Sequence, residues 1–266
     1  MTESPSHRDR ILREVPVRRV PTCGDRRTHA VIREELLTVM LNGRQLIRMS
    51  CLPDALEDLV LGFLVSEGLV DSAEAVSDVT VSDARDTVSV RARVDPYRLV
   101  GFRQRLAMSS GCGGGASCVS EQLPPCASRA RFRPEQISER MVELQHASDV
   151  FRETGGVHCS AATDGEKLLA FAEDIGRHNA VDKTLGRCVR EGVDLGSMAI
   201  LTTGRLSADI LSKAIRAGVP VVVSRGAATS RAIELAAAAD VAAVGFARAR
   251  DMNVYTAAWR LGLDAP

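Results

Sequence analysis

The sequence has no long hydrophobic run and no excess of charge, and each absence excludes a class of function. No stretch of 18 consecutive apolar residues occurs, so no transmembrane helix is predicted. Lys and Arg together number 34, as do Asp and Glu, so no net charge draws the chain toward nucleic acid or a membrane surface. The first 13 residues are polar and charged, and no apolar segment typical of a secretion signal follows them. We therefore expect a cytoplasmic protein without nucleic-acid or membrane partners.

The seven cysteines are an odd number, and a chain of 266 residues is too long for a disulfide scaffold. In a reducing compartment, reactive, metal-bound or buried free thiols remain. The contexts of Cys51 and Cys188 are those of small buried hydrophobes. Cys112 and Cys118 differ, because residues 109–118 contain only Gly, Ser, Ala and Cys. Four glycines predict a mobile surface loop that presents two thiols, and reactive thiols, a disulfide, half of a zinc site and an inert linker all remain open.

Hydrophobic patterning divides the chain into four segments. We predict a flexible N-terminal arm over residues 1–22 and a small α+β unit over residues 23–108. A cysteine loop and irregular connection follow over residues 109–133, and a larger α/β domain covers residues 134–266.

The small unit is predicted to have β-β-α-β-β order. Residues 35–50 alternate about Asn42-Gly43, a pair typical of a type I′ hairpin turn. Residues 53–68 show the spacing, the initial proline and the final glycine of a helix. Residues 79–94 alternate again across a polar turn, which gives the second pair of strands.

The larger domain is predicted to be a mixed sheet flanked by helices, because its elements follow the order α-β-β-α-β-α-β-α-β. Its helices are predicted at residues 134–153, 177–190, 207–217 and 230–239, and its strands at residues 157–163, 167–173, 198–203, 219–224 and 241–246.

Three strand-to-helix junctions in this domain have the residues of a phosphate site. Residues 174–178, 202–207 and 224–230 each combine small residues, a helix N-terminus and an arginine. One such junction would be an ordinary turn and helix cap. Three together favour a shared anion or nucleotide site, since ligands of such sheets bind where strands lead into helices.

A polar cluster opens the helix at residues 177–190. His178 and Asp182 are four residues apart, as are Asn179 and Lys183, so the two pairs stand side by side on one face. Solvated surface pairs and the floor of a polar pocket are both compatible with this pattern.

Several motifs together resemble the formate dehydrogenase accessory sulfurtransferase family (FdhD-type). They are Gly155-Gly156-Val157-His158, residues 173–183 with their His-Asn-Ala-x-Asp-Lys block, the Thr-Gly-Arg turn at 203–205, residues 245–248, residues 253–256 and the Cys112 loop. The resemblance runs from about Glu34 to Trp259. It implies a carrier that takes persulfide sulfur from a cysteine desulfurase and delivers it to the bis-molybdopterin guanine dinucleotide cofactor of formate dehydrogenase. It further implies a C-terminal domain like that of cytidine deaminase, and a homodimer.

The resemblance assigns sulfur transfer to Cys112 and Cys118. Family members commonly carry Cys-x-x-Cys in this loop, whereas five residues separate the two cysteines here. The resemblance also implies that residues 246–251 contact the dinucleotide. With the junctions and the polar cluster, the predicted cofactor-binding residues are Phe246, Ala247, Arg248, Ala249, Arg250, Asp251, His178, Asn179, Lys183, Thr203, Gly204, Arg205, Ser224 and Arg225.

Three other functions compete with sulfur transfer. A zinc hydrolase of deaminase type needs a Glu where Ala180 stands and a Cys pair where residues 204–207 have none, so we expect no bound zinc. A thiol redox protein would have a short Cys-x-x-Cys at a helix N-terminus. A chaperone that binds the cofactor without transferring sulfur would use the same pocket and stays an alternative.

Overall fold

The computed structural model describes residues 6–18, 26–110, 123–249 and 251–263. In these residues the helices are α1 (His7–Ile11), α2 (Leu56–Ser66), α3 (Pro96–Ser110), α4 (Pro134–His146), α5 (Asp149–Thr154), α6 (Arg177–Arg190), α7 (Ala208–Arg216) and α8 (Ser230–Ala238). The strands are β1 (Leu12–Arg18), β2 (Arg26–Ile32), β3 (Glu35–Leu41), β4 (Arg44–Cys51), β5 (Val76–Val81), β6 (Thr87–Ala92), β7 (His158–Thr163), β8 (Leu168–Asp174), β9 (Ala199–Thr202), β10 (Val221–Ser224), β11 (Ala242–Arg248) and β12 (Asp251–Val254).

A six-stranded mixed sheet with the order β12-β11-β10-β9-β7-β8 forms the larger layer. Strands β9, β10 and β11 are parallel, while β7 runs antiparallel to β8 and β9. Helices α6, α7 and α8 pack on one face, and α4 packs on the other. Because both faces are covered, β9 and β10 are buried along their whole length. The predicted mixed α/β class, with helices flanking the sheet, is confirmed.

A second sheet has four strands in the order β4-β3-β6-β5. Its first hairpin turns at Asn42 and Gly43, whose φ angles of 50° and 78° are those of the predicted type I′ turn. Helix α2 covers this sheet, and Phe102 of α3 packs edge-to-face on Phe63 with ring centroids 5.7 Å apart. The patterning did not predict α3, whose one fully buried side chain among those described is Phe102.

Helices α2 and α6 join the two layers at a crossing built on two glycines. A Cβ on Gly62 would lie 1.7 Å from the carbonyl oxygen of Asp182, and one on Gly186 would lie 1.9 Å from that of Asp58. The two backbones are therefore in direct contact, and the smaller sheet is fastened to the larger one through α6.

The predicted flexible arm over residues 1–22 is wrong for the described part of that segment. Strand β1 pairs with β2 in a two-stranded antiparallel sheet. Ile11 and Leu12 are buried in a small apolar cluster with Leu52 and Val150. Contacts this distant in sequence leave no periodic signal, which is why the pattern of residues 6–18 did not reveal them.

Two further differences concern local structure. The single helix predicted over residues 134–153 is divided, because the Ser148 hydroxyl accepts a hydrogen bond from the Phe151 amide (2.7 Å) and starts α5. Strand β12 was not predicted, and it turns the segment after β11 into a hairpin. In the part of the chain that the structure describes, no helix is long and apolar enough to cross a membrane.

Candidate functional site at the sheet edge

Three loops meet at the edge of the large sheet where β9, β10 and β11 end. The loops after β9 and β10 are bonded to each other: the Leu206 amide donates to the Ala227 carbonyl and the Thr229 amide donates to the Leu206 carbonyl, both at 3.0 Å. The Phe246 amide donates to the Gly226 carbonyl (2.9 Å), which adds the β11–β12 hairpin. The predicted junctions after β9 and β10 thus form one continuous surface with the β11–β12 hairpin.

Helices α6, α7 and α8 begin at this surface, and two of them lack a side-chain cap. Gly176 has no side chain to cap α6, and the Ser207 hydroxyl makes no capping hydrogen bond to α7. In α8 the Thr229 hydroxyl accepts from the Ala232 amide (3.3 Å). The first-turn amides of α6 and α7 are thus without a side-chain acceptor, as at helix N-termini that bind anions.

Buried polar atoms at this edge lack protein partners. A Cβ on Gly204 would lie 2.7 Å from the Cβ of Arg177, so only glycine lets the Arg177 side chain pack over this loop. Arg177 Nε, His178 Nε2 and Ser207 Oγ are buried and make no hydrogen bond in the described structure. Because buried polar groups are nearly always paired, three unpaired atoms at the starts of two neighbouring helices set this edge apart from an ordinary helix start.

Exposed arginines and an aromatic ring complete the surface. Arg205, Arg225 and Arg248 are exposed. The Arg248 guanidinium lies 5.4 Å from the centre of the Phe246 ring, and its Nε donates to the Arg225 carbonyl (3.3 Å). Phe246 has a φ of 52° and is 39% exposed, an unusual backbone and an unusual degree of exposure for phenylalanine. Guanidinium groups beside an open ring suit a ligand that has both phosphates and an aromatic base.

The two histidines at this edge are neutral at neutral pH. Burial, together with the positive charges of Arg177 and Lys213, lowers the pKa of His178 to about 4. Burial and the Arg177 charge also lower the pKa of His158. Each imidazole therefore offers one donor and one acceptor and adds no charge to that of the arginines.

The predicted ligand contact by Lys183 is wrong. Its side chain is 1% exposed, its Nζ lies 2.7 Å from the Asp174 carboxylate, and it donates to the Leu52 carbonyl (3.1 Å). Asn179 has a similar role, since its Nδ2 donates to Asp174 Oδ1 (3.0 Å) and to the Ser50 carbonyl (2.8 Å). The polar cluster of α6 thus mainly fastens α6 to the small sheet, and of its first members only His178 faces the edge with an unpaired atom.

Other predicted residues hold the loops of this surface in place through hydrogen bonds beneath it. The buried Ser224 hydroxyl donates to the Gly204 carbonyl and accepts from the Gly226 amide (2.8 Å). The Thr203 hydroxyl accepts from the Cys159 amide (3.0 Å). Ala247 is 1% exposed, whereas the neighbouring Ala249 and Asp251 are exposed.

Cys112, Cys118 and Arg250 lie outside the described residues, so their predicted roles stay predictions. Three of the described cysteines can be assigned: burial raises the pKa of Cys51 and Cys188 to about 12 and that of Cys159 to about 11. These three are protonated thiols without access to solvent, and they are unsuited to nucleophilic chemistry. No group of three potential metal ligands occurs among the His, Cys, Asp and Glu residues that the structure describes.

The sequence prediction missed three residues of the site. Arg177 and Ser207 were recognised only as junction residues, and Asp209 was not considered. An acidic residue in the first turn of a helix is ordinary, so nothing in the sequence distinguished Asp209. Its carboxylate lies 4.0 Å from His178 Nε2, and only the folded chain brings the two together.

The fold and this edge define an α/β protein whose strand-to-helix loops form a surface with exposed arginines. Residues 32–262 match the model of the FdhD/NarQ family. The chain therefore belongs to the FdhD/NarQ family, in agreement with the resemblance seen in the sequence motifs.

Individual relatives support this assignment along most of the chain. The chain is 36% identical over 232 residues to the sulfur carrier protein FdhD of Bacillus subtilis, covering 85% of this chain and 88% of that protein. It is 35% identical over 269 residues to the sulfur carrier protein FdhD of Wolinella succinogenes, covering 97% and 92%. A crystal structure described as a formate dehydrogenase accessory protein of Desulfotalea psychrophila superposes with a TM-score of 0.75 at 26% identity, covering 94% and 98%. This chain is thus a member of a family of sulfur carrier proteins.

Proposed function

We propose that this protein accepts persulfide sulfur from a cysteine desulfurase and delivers it to a bis-molybdopterin guanine dinucleotide cofactor, and so activates a formate dehydrogenase. The dinucleotide cofactor is a substrate in this proposal, held at the edge where β9, β10 and β11 end. The observation that carries the binding step is the convergence of three unpaired buried polar atoms with exposed arginines on one surface.

The residues at this edge match the chemistry of a guanine dinucleotide. Arg205, Arg225 and Arg248 can form charge-assisted hydrogen bonds to a diphosphate, and the uncapped first turn of α6, which contains no acidic residue, adds backbone donors. The exposed Phe246 ring can stack on a base or a pterin. These contacts hold and orient the substrate, while the sulfur comes from the cysteine loop.

In the sulfur-acceptance step, a loop thiolate attacks the outer sulfur of the donor persulfide. A new S–S bond forms on the loop cysteine, the donor S–S bond breaks, and the desulfurase leaves as its thiolate. Burial and a raised pKa make Cys51, Cys159 and Cys188 poor candidates for this attack. Of the other four cysteines, Cys23, Cys112, Cys118 and Cys126, we propose Cys112 and Cys118 as the acceptors, because they share the glycine-rich loop on which the family resemblance rests.

The test of sulfur acceptance is incubation of the purified protein with a cysteine desulfurase and cysteine, followed by mass spectrometry of the alkylated loop peptide. We expect one added sulfur on residues 109–118 and none on the peptides that contain Cys51, Cys159 or Cys188. A protein that restores formate dehydrogenase activity without ever carrying added sulfur would be a cofactor chaperone instead.

We expect guanosine diphosphate to raise the melting temperature more than adenosine diphosphate does. At a concentration of about 100 times its Kd, a ligand that binds only the folded state adds about 2.7 kcal/mol, which is a rise of roughly 5–10 °C for a chain of this size. Arg205→Ala should reduce this rise, since Arg205 is exposed between the two bonded loops.

Arg44→Ala is the matched control, because Arg44 is equally exposed but lies on the hairpin of the small sheet. Differential scanning fluorimetry compares the three proteins with both nucleotides. Equal shifts for the two nucleotides, or an unchanged shift in Arg205→Ala, would contradict the proposed binding surface.

A further inference from the structure

The largest fully buried side chain of the described structure, that of Arg260, takes no part in the site described above. Arginine is almost never fully buried unless it is paired. Its Nε donates to the Asp240 carbonyl (2.9 Å), and its Nη2 lies 3.3 Å from the half-exposed Asp240 carboxylate. The guanidinium also lies 4.3 Å from the centre of the Trp259 ring. Its remaining hydrogen bonds go to the backbone of a single segment.

Arg260 holds residues 126–132, which follow the cysteine loop and which we call the connecting segment. The connecting segment contains no helix or strand. Arg260 Nη1 donates to the carbonyls of Ser128 (2.9 Å) and Ala130 (3.4 Å). The Arg260 carbonyl accepts from the Phe132 amide (2.7 Å). One residue therefore fixes three alternate positions of a segment that has no regular hydrogen-bond ladder of its own.

Two anchored points limit the reach of Cys118. Ser110, the last residue of α3, lies eight residues before it. Leu123 lies five residues after it and packs against the apolar cluster between the large sheet and α6, α7 and α8. Since a residue spans at most about 3.6 Å, Cys118 stays within about 29 Å of Ser110 and about 18 Å of Leu123. Cys112 is two residues from Ser110, so α3 alone confines it to about 7 Å.

Resting on the proposed function, we propose that Arg260 is a positioning residue for sulfur transfer and acts through Cys118. In the relay step, the Cys118 thiolate attacks the outer sulfur of the Cys112 persulfide. A new S–S bond forms on Cys118, the S–S bond on Cys112 breaks, and Cys112 leaves as its thiolate. Release of the connecting segment would lengthen the second tether of Cys118, and the local concentration of a tethered group falls roughly as the −3/2 power of tether length. Arg260 therefore keeps the relayed sulfur close to the body on which the substrate is held.

The test uses the full-length protein with Arg260→Lys, which keeps the charge but lacks the planar fork of donors. Hydrogen–deuterium exchange followed by mass spectrometry should show faster exchange in the connecting segment and unchanged exchange in β10. Sulfur acceptance from a cysteine desulfurase should stay at the wild-type rate, because α3 still anchors Cys112. Activation of a formate dehydrogenase should fall about three- to tenfold, the loss expected when the second tether becomes several times longer.

A double-mutant cycle separates positioning from a general structural effect. In the Cys118→Ala background, Arg260→Lys should cause no further loss of activation, since the thiol that it positions is already absent. Ser148→Ala is the control for stability, because the buried Ser148 hydroxyl caps α5 and bonds to Glu173. This control should lower the melting temperature and leave sulfur acceptance and activation unchanged.

Ser128→Ala provides a second variant of the connecting segment if Arg260→Lys does not fold. It removes the hydroxyl that donates to the Gly196 carbonyl and accepts from the Ala130 amide (3.1 Å), while the buried charge stays in place. We expect the same pattern of faster exchange, unchanged acceptance and slower activation.

The outcomes separate this inference from the function on which it rests. If the wild-type protein never carries added sulfur, the proposed function itself is wrong. If it carries sulfur and Arg260→Lys leaves exchange in the connecting segment unchanged, only the role of Arg260 is overturned. Faster exchange with wild-type activation leads to the same conclusion. Losses that multiply in the double variant would also overturn it, because Arg260 would then act independently of Cys118.

Discussion

Gly186→Ala should reduce the free energy of unfolding by about 3 kcal/mol or more, a large part of the stability of an ordinary domain. The added methyl group would stand 1.9 Å from the Asp58 carbonyl oxygen and 2.7 Å from the Gly62 amide nitrogen. Both atoms belong to the backbone of α2, so no side chain can rotate away. The helices must separate, and the apolar contacts on either side of the crossing are lost with them.

Urea unfolding followed by circular dichroism measures this change. Gly192→Ala is the control, because Gly192 has a φ of +71° and nothing within 4 Å of an added Cβ. That substitution tests only the left-handed backbone and should cost about 1 kcal/mol. Equal midpoints for Gly186→Ala and Gly192→Ala would show that α2 and α6 can move apart without loss.

The same helix crossing positions the proposed binding edge. Below it, Lys213 Nζ lies 2.9 Å from the Asp182 carboxylate and donates to the Ser66 hydroxyl (3.0 Å), so α7, α6 and α2 share one buried polar network. The Lys183–Asp174 ion pair anchors the middle of α6 to the end of β8. Because His178 belongs to α6 and Asp209 to α7, the small sheet acts on the site by fixing the helices that carry these two residues.

Much of the larger domain could be predicted from the sequence because its patterns are local. Helix α6 has the predicted bounds, and β7 and β8 form a hairpin where strands were predicted over residues 157–163 and 167–173. The hairpin at Asn42-Gly43 could be predicted from the turn chemistry of these two residues. In each case the residues that determine the structure are neighbours in the sequence, so periodicity and turn chemistry were sufficient.

The candidate site was predicted less completely, because its geometry depends on residues distant in sequence. Asn179 and Lys183 have the composition of a pocket floor, but Asp174, Leu52 and Ser50 occupy their polar atoms. The helical spacing shows that Lys183 shares a face of α6 with Asn179. It could not show which segment of the chain packs against that face.

Cys112→Ala should abolish the activation of a formate dehydrogenase, whereas Cys118→Ala should only weaken it. Persulfide exchange needs an accessible and largely deprotonated sulfur, and Cys112 stands between two glycines that have no side chains to shield it. Cys118 is followed by Val119, so we expect it to relay or resolve the persulfide rather than receive it first.

The measurement combines the activity of a formate dehydrogenase matured with each variant, mass spectrometry of the loop peptide, and the melting-temperature shift with guanosine diphosphate. Cys112→Ala should lose the added sulfur and the activity but keep the nucleotide shift, because the binding edge is built from residues of the large sheet and its loops. Cys188→Ala is the control, since its thiol is buried and its raised pKa keeps it protonated; any loss there reflects packing alone. Added sulfur on Cys118, together with an active Cys112→Ala, would reverse the two roles, and full activity without either loop thiol would overturn sulfur transfer by this chain.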